Sequence, residues 1–246
     1  MKMRLLLPFV FLAFVPGCFE EDKPATTPAK TPEKPAEPPK PAMGKRTPMN
    51  KNKTLLLESF DDGKKRVVIE AAVCLREGAL ELLMCRKPSK EHESLLHSDV
   101  NAIDIHTVLI LAKAKPGSPV TWQPDYKPAH GTKIKIWLEY VDKKGATVTV
   151  PAATWVRNFR TQKQLESDWV FAGSRFFKDP DDPKKEPFYM ANNGDVISVA
   201  NFPDSMLDLP IESSKENASL AFEAWTERIP ELKTKVNIIL EPVLEK

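Results

Sequence analysis

From Arg66 to Leu75 every odd position is apolar: Val67, Ile69, Ala71, Val73 and Leu75. A period of two lines one face of a half-buried strand. Arg76-Glu77-Gly78 is a turn signal, and Ala79 to Arg86 resumes the pattern with Leu80, Leu82 and Met84. A hairpin turning at Glu77-Gly78 sets those three opposite Leu75, Val73 and Ala71, which makes one face continuously apolar. Thr132 to Val141 repeats the alternation through Ile134, Ile136, Leu138 and Tyr140, and Lys143-Lys144-Gly145 turns the chain into Ala146 to Val150. Trp169 to Phe177 reads as extended. Phe188 to Ala191 and Val196 to Ala200 flank Asn192-Asn193-Gly194-Asp195, whose Asn-Gly step favours a tight hairpin. Leu220 to Trp225 and Lys235 to Leu240 complete the predicted strands.

One segment changes period. Between Asp99 and Lys115, Val100, Ile103, Thr107, Ile110, Leu111 and Ala114 form one helical stripe, widened by Ile105, Val108 and Leu109. Ser98 stands where a cap belongs and Pro116-Gly117 where a helix stops. The pattern therefore predicts an α+β fold, mostly antiparallel β-hairpins around one main helix at about 98–115.

The start of the chain has a different composition. Lys2 and Arg4 precede an apolar run, Leu5 to Val15, broken only by Pro8. That run is too short to span a bilayer, which takes about 20 apolar residues, and it fits the apolar region of a secretory signal. It ends in Val15-Pro16-Gly17-Cys18, and small Gly17 before a cysteine resembles a bacterial lipobox. The resemblance implies cleavage before Cys18 and lipidation of that residue, so residues 1–17 read as a lipoprotein signal peptide. Glu20 to Lys53 then holds eight prolines and no Leu, Ile, Val or aromatic residue. Such a segment cannot bury enough apolar surface to offset chain entropy. Residues 18–53 are expected to be a lipid-anchored, disordered spacer, and 54–246 a single globular domain. The expected location is the bacterial cell envelope, membrane-anchored and facing outside the cytoplasm, with the N-terminal lipid as the membrane contact.

Charge and cysteine content narrow the function. A formal net charge of +2 without a basic stripe speaks against nucleic acid as a partner. After Cys18 only Cys74 and Cys85 remain. The hairpin register separates their sulfurs by roughly 13 Å at strand rise, too far for a disulfide, so two free, partly buried thiols are expected. Two cysteines are also too few for an iron–sulfur cluster, and no cofactor is predicted.

The candidate chemistry concentrates in Glu91, His92, Glu93 and Ser94, with His97 just beyond. A carboxylate beside His92 can fix its tautomer for use as a base. His92, Glu93 and His97 offer nitrogen and oxygen donors to a metal, but their spacing matches no named site. The plainest reading is a polar corner that leads into the helix, its side chains bonded to local backbone.

Four blocks carry a resemblance: Cys85-Arg-Lys-Pro-Ser-Lys-Glu-His-Glu-Ser94, Leu111-Ala-Lys-Ala-Lys-Pro-Gly-Ser-Pro-Val120, Trp169-Val-Phe-Ala-Gly-Ser174 and Asn201-Phe-Pro-Asp-Ser-Met-Leu-Asp-Leu-Pro-Ile211. Together they resemble the YdjY-domain family of bacterial exported proteins over nearly all of residues 65–243. The resemblance implies a location outside the cytoplasm and little about activity. The ferredoxin-type label that some members carry conflicts with the cysteine count here. The leading expectation is a lipid-anchored binding or interaction module, with an envelope protein or small molecule as partner. An envelope enzyme of hydrolase type using His92 with Glu91 or Glu93 is a second reading, and a metal or redox carrier through His92, His97 or Cys85 a third.

Overall fold

The computed structural model describes residues 44–182, 184–214 and 220–244. Cys18 and the segments expected to be a signal peptide and, up to residue 43, a spacer lie outside the described residues. The chain divides at Pro39/Lys40, and every described residue belongs to the second unit.

Three strands open the sheet: β1 (Lys45–Pro48), β2 (Leu55–Ser59) and β3 (Lys65–Val73), antiparallel in sequence order. β1 falls within the stretch assigned to the spacer, so the folded unit starts ahead of residue 54. β4 (Leu82–Arg86) and β5 (Ser94–Ser98) follow as a parallel pair, joined over a 3-10 turn at Glu91–Glu93. After them come α1 (Ala102–Leu111), the short pair β6 (Pro116–Ser118) and β7 (His130–Gly131), and the hairpin of β8 (Lys133–Val141) with β9 (Thr147–Pro151). The rest are short: β10 (Val156–Asn158), β11 (Trp169–Phe171), β12 (Phe176–Phe177), β13 (Phe188–Tyr189), β14 (Ile197–Ser198), β15 (Leu207–Asp208) and β16 (Phe222–Ala224). β17 (Lys235–Pro242) ends the series.

Eight of these strands close a barrel in the order β3-β17-β8-β11-β15-β14-β4-β5 and back to β3. Closure is possible because β3 is long. One edge pairs with β17 throughout, while the other is shared between β2 at its start and β5 at its end, where Ala72 meets His97 and Val73 meets Leu96. The alternating residues of β3, β8 and β17 fill one continuous core: Val67, Ile69, Ala71 and Val73; Ile134, Ile136 and Leu138; Val236, Ile238 and Leu240. Ile105, Val108 and Leu109 of α1 join it.

The α+β expectation is therefore corrected: the described residues are mostly β, a closed eight-stranded barrel with one ten-residue α-helix among them. The helix is shorter than 98–115 at both ends. Ser98 is not its cap but a β5 residue, whose hydroxyl donates to the Glu70 carbonyl at 2.7 Å. Lys113 adopts φ +68°, and the helix has ended before it. The buried face is Ala102, Ile105, Val108 and Leu109, leaving Ile110 and Leu111 exposed.

Two expected hairpins are absent as well. β3 and β4 do not pair; β4 lies between β5 and β14. The turn at Gly78 is captured instead by β16, through Ala224 N–H to Gly78 O and Leu80 N–H to Phe222 O. The Asn192-Asn193-Gly194 segment closes a 3-10 turn at Met190–Asn193, so β13 pairs with β12 and β14 with β4 and β15.

Candidate functional site

The crossover from β4 to β5 carries Glu91, His92 and Glu93, and β5 itself carries Ser94 and His97; the five side chains go in different directions. His92 stands on the surface, its side chain 72% exposed, with Nε2 3.5 Å from Glu93 Oε1. Ser94 is fully buried and donates its hydroxyl to Leu96 O at 2.7 Å. Those two cannot serve one reaction centre in this arrangement. Glu91 accepts the Ser89 N–H at 2.8 Å and places its other oxygen 3.8 Å from His97 Nδ1. Burial, together with nearby Lys87, holds the His97 pKa below the ordinary histidine value.

Glu93 joins a cluster that the sequence did not announce. Lys90 reaches inward to Glu81 Oε2 and Asp195 Oδ1, both at 3.0 Å, and lies over the Phe202 ring. Glu81, on the short link before β4, is almost completely buried, and burial and a shared hydrogen bond with Glu93 push its carboxyl above the usual range. Asp195 is raised too, chiefly by burial, against the pull of Lys90. Burial opposes the Lys90 charge, but Asp195 and Glu81 more than offset this, and its pKa lies above the ordinary lysine value. One ammonium thus ties the crossover to the barrel through two buried carboxyls.

A second polar cluster sits beside it. Asn201 is fully buried and works as a hub. Its amide donates to Asp208 Oδ1 and Leu209 O, both at 3.2 Å, its side-chain oxygen accepts Ser213 N–H at 2.7 Å, and its carbonyl accepts the Trp122 indole N–H at 3.3 Å. Asp208 Oδ1 also accepts Leu209 N–H at 2.7 Å, while Oδ2 has no partner among the described residues. Burial pushes this carboxyl up to about 8, so near neutrality it is largely protonated.

The third cluster corrects the cysteine geometry. Cys74 and Cys85 are both free thiols, and the strands that carry them flank β5 on its two edges. The hairpin register that separated them does not exist. Instead β5 lies between β3 and β4 and brings both thiols to itself. Cys74 directs its Sγ at Ser94 O, 3.0 Å away, and its N–H bonds Leu95 O. The neighbouring Cys74 thiol is the main influence that lowers the Cys85 pKa, against the effect of burial, and Cys85, with burial, raises that of Cys74.

Residues 59–241 match the family model of the YdjY domain. The chain belongs to the YdjY domain family. No curated protein and no solved structure matches it. In this YdjY domain the buried polar clusters draw on the blocks that carried the resemblance: Lys90, Glu93 and Cys85 come from the first, Asn201 and Asp208 from the fourth. Glu81, Asp195 and Asp208 carried a signal that alternation alone passes over, since each is a charged residue directly beside large apolar ones (Leu80 and Leu82; Val196; Leu207 and Leu209). Among the described residues, no group of three or more His, Cys, Asp or Glu side chains is placed to hold one metal ion. A concavity of about 490 Å³ between Phe60, Lys65, Lys135 and Leu244 contains none of the three clusters.

Proposed function

We propose that this YdjY protein is a lipid-anchored component of a bacterial envelope whose barrel serves as a binding or interaction module. The observation that carries the reading is the start of the chain: Lys2 and Arg4, a short apolar run, and the Gly17-Cys18 junction. Acylation at Cys18 with more than one chain gives stable anchoring where a single chain does not. The proline-rich stretch that follows spaces the barrel from the membrane. A module rather than an enzyme is supported by where His92, Ser94 and Ser174 lie. His92 faces solvent beside one carboxylate, Ser94 is sealed beneath it, and the Ser174 hydroxyl is committed to Asp204 O at 2.6 Å.

Mass spectrometry of the mature protein from its native cell tests the anchor. The expected amino terminus is an acylated Cys18, and Cys18→Ala should release the protein from the membrane fraction. An unmodified Cys18 in a membrane-free protein would remove the basis of the proposal.

A further inference from the structure

We propose that the concavity beside the start of β3 binds an amphipathic anion: one carboxylate or phosphate group carried on an apolar chain. The proposal names a ligand class for the binding module and rests on that reading, but it does not need the anchor.

Local structure builds the two walls. The turn between β2 and β3 is closed by Phe60 N–H to Lys64 O and Gly63 N–H to Phe60 O, both at 3.0 Å, with Gly63 at φ +81°. That turn sets the Phe60 ring against the Arg66 guanidinium, 4.6 Å from the ring centre. Opposite, the chain leaving β17 is held to β8 by Val243 N–H to Lys133 O at 2.8 Å. Val243 and Leu244 stay at the surface, 41% and 45% exposed. With Phe60 they give the concavity of about 490 Å³ an apolar lining on two sides. Small-molecule sites span about 300–1,000 Å³, so the space suits a ligand of that size.

Charge gives the ligand its sign. Lys135 of β8, Glu241 of β17 and Arg66 of β3 line the floor, with Lys135 directly opposite Glu241 and Arg66 Nη1 3.8 Å from Glu241. Arg66 is committed, because its guanidinium also binds buried Glu58 at 2.7 Å. Lys64 is paired with Asp62 at 3.1 Å, an exposed contact of little strength. Lys135 is exposed and meets no carboxylate within ion-pair distance among the described residues. Lys65 is half-buried, and its Nζ is 3.4 Å from Leu111 O, beyond the usual range of about 2.7–3.2 Å for such a bond. Both lysines line the same concavity, and neither charge is answered by an acid of the protein. An anion bound here takes up those two ammonium groups, while its apolar part leaves water for Phe60, Val243 and Leu244. A neutral apolar ligand would leave the lysines unanswered, and a cation would be repelled.

The test uses the chain from residue 18 onward with Cys18→Ala, otherwise complete and free of acyl groups that would compete for the site. Titration calorimetry with decanoate and with dihexanoylphosphatidate, each below its micelle concentration, should show one site per chain. Tighter binding of decanoate would mark a free fatty acid as the source, and tighter binding of the phosphatidate a lipid headgroup. Inorganic phosphate lacks the apolar part and decyltrimethylammonium has the wrong charge, so each should bind more weakly by about tenfold or more. Lys135→Gln and Lys65→Gln should each weaken decanoate binding about fivefold, and added salt should weaken it too. Glu241→Gln removes a carboxylate from the floor and should tighten binding about threefold, a gain that lost packing does not produce. If Lys65→Gln lowers the melt, Lys135→Gln at its exposed position carries the test. No binding of either anion, equal binding of phosphate or of decyltrimethylammonium, or unchanged affinity in the double lysine variant would each overturn the site. An acylated Cys18 without anion binding leaves the anchor standing and removes this ligand class alone, so the two proposals fail separately.

Discussion

Lys90 and His92 stand two positions apart and differ in almost everything that sets the effect of a substitution. Lys90 is the cation shared by two buried carboxyls, at 3.0 Å from each. Lys90→Met keeps much of the stem but leaves Glu81 and Asp195 without it, and the expected loss is about 1–3 kcal/mol in denaturant unfolding. His92→Ala removes an exposed ring from a surface turn and should change stability by no more than about 0.5 kcal/mol. Equal effects of the two would remove the brace assigned to Lys90. Asp208 sets a pH dependence. Its carboxyl is raised by burial to about 8, against about 3.9 in an unfolded chain. The folded state therefore binds the extra proton between those values, so stability associated with this group is fully present below about pH 4 and is lost as pH rises through about 8. Asp208→Asn keeps the acceptor toward Asn201 and removes the titration. Melting curves from pH 5 to 9 should fall more steeply for the natural protein than for the variant, and parallel curves would contradict the assignment.

At the scale of elements, β1 decides where the domain begins. It pairs with β2 from Lys45 opposite Ser59 to Pro48 opposite Leu56, and Arg46 donates to Glu58, a fully buried carboxylate that also binds Arg66 at 2.7 Å. Proline and lysine in this segment suit an edge strand, which gives one side to water and resists further pairing. Removal of residues 1–43 should leave the melt unchanged. Removal of residues 1–53 takes away β1 and one of the two guanidinium groups on Glu58, and should lower Tm by several degrees, at about 2–4 °C per kcal/mol for a domain of this size. Identical melts for the two truncations would show that β1 adds nothing.

Across the whole molecule, barrel closure is uneven. β17 matches β3 from Lys235 to Leu240 and β8 from Val236 to Pro242, whereas β3 meets β5 only at Ala72 and Val73, and β14 meets β15 only at Ile197. Regions with fewer buried backbone hydrogen bonds open at lower free energy. Native-state hydrogen exchange should therefore show strong protection in β3, β8 and β17 and earlier exchange around β5, β14 and β15; uniform protection would argue against a weak half. The long strands were also the legible part of the sequence. Alternation over nine residues in β3 and β8 fixes both the element and its buried face, because period two is a property of the strand itself. The Lys143-Lys144-Gly145 hairpin was readable for the same local reason. The site of the helix and the family blocks were likewise accessible from residues alone. What local pattern could not supply is which strand edges meet. Leu80, Leu82 and Met84 are apolar on one side whether β4 folds back on β3 or leaves to join β5 and β14, and the choice falls to β16, some 140 residues further on, which holds the turn at Gly78. With that choice come the closed barrel, the placing of Cys74 and Cys85 on either side of β5, and the burial of Glu81, Asp195 and Asp208 around Lys90 and Asn201. Those are long-range pairings, and their free energy depends on surfaces that exist only once the chain has folded.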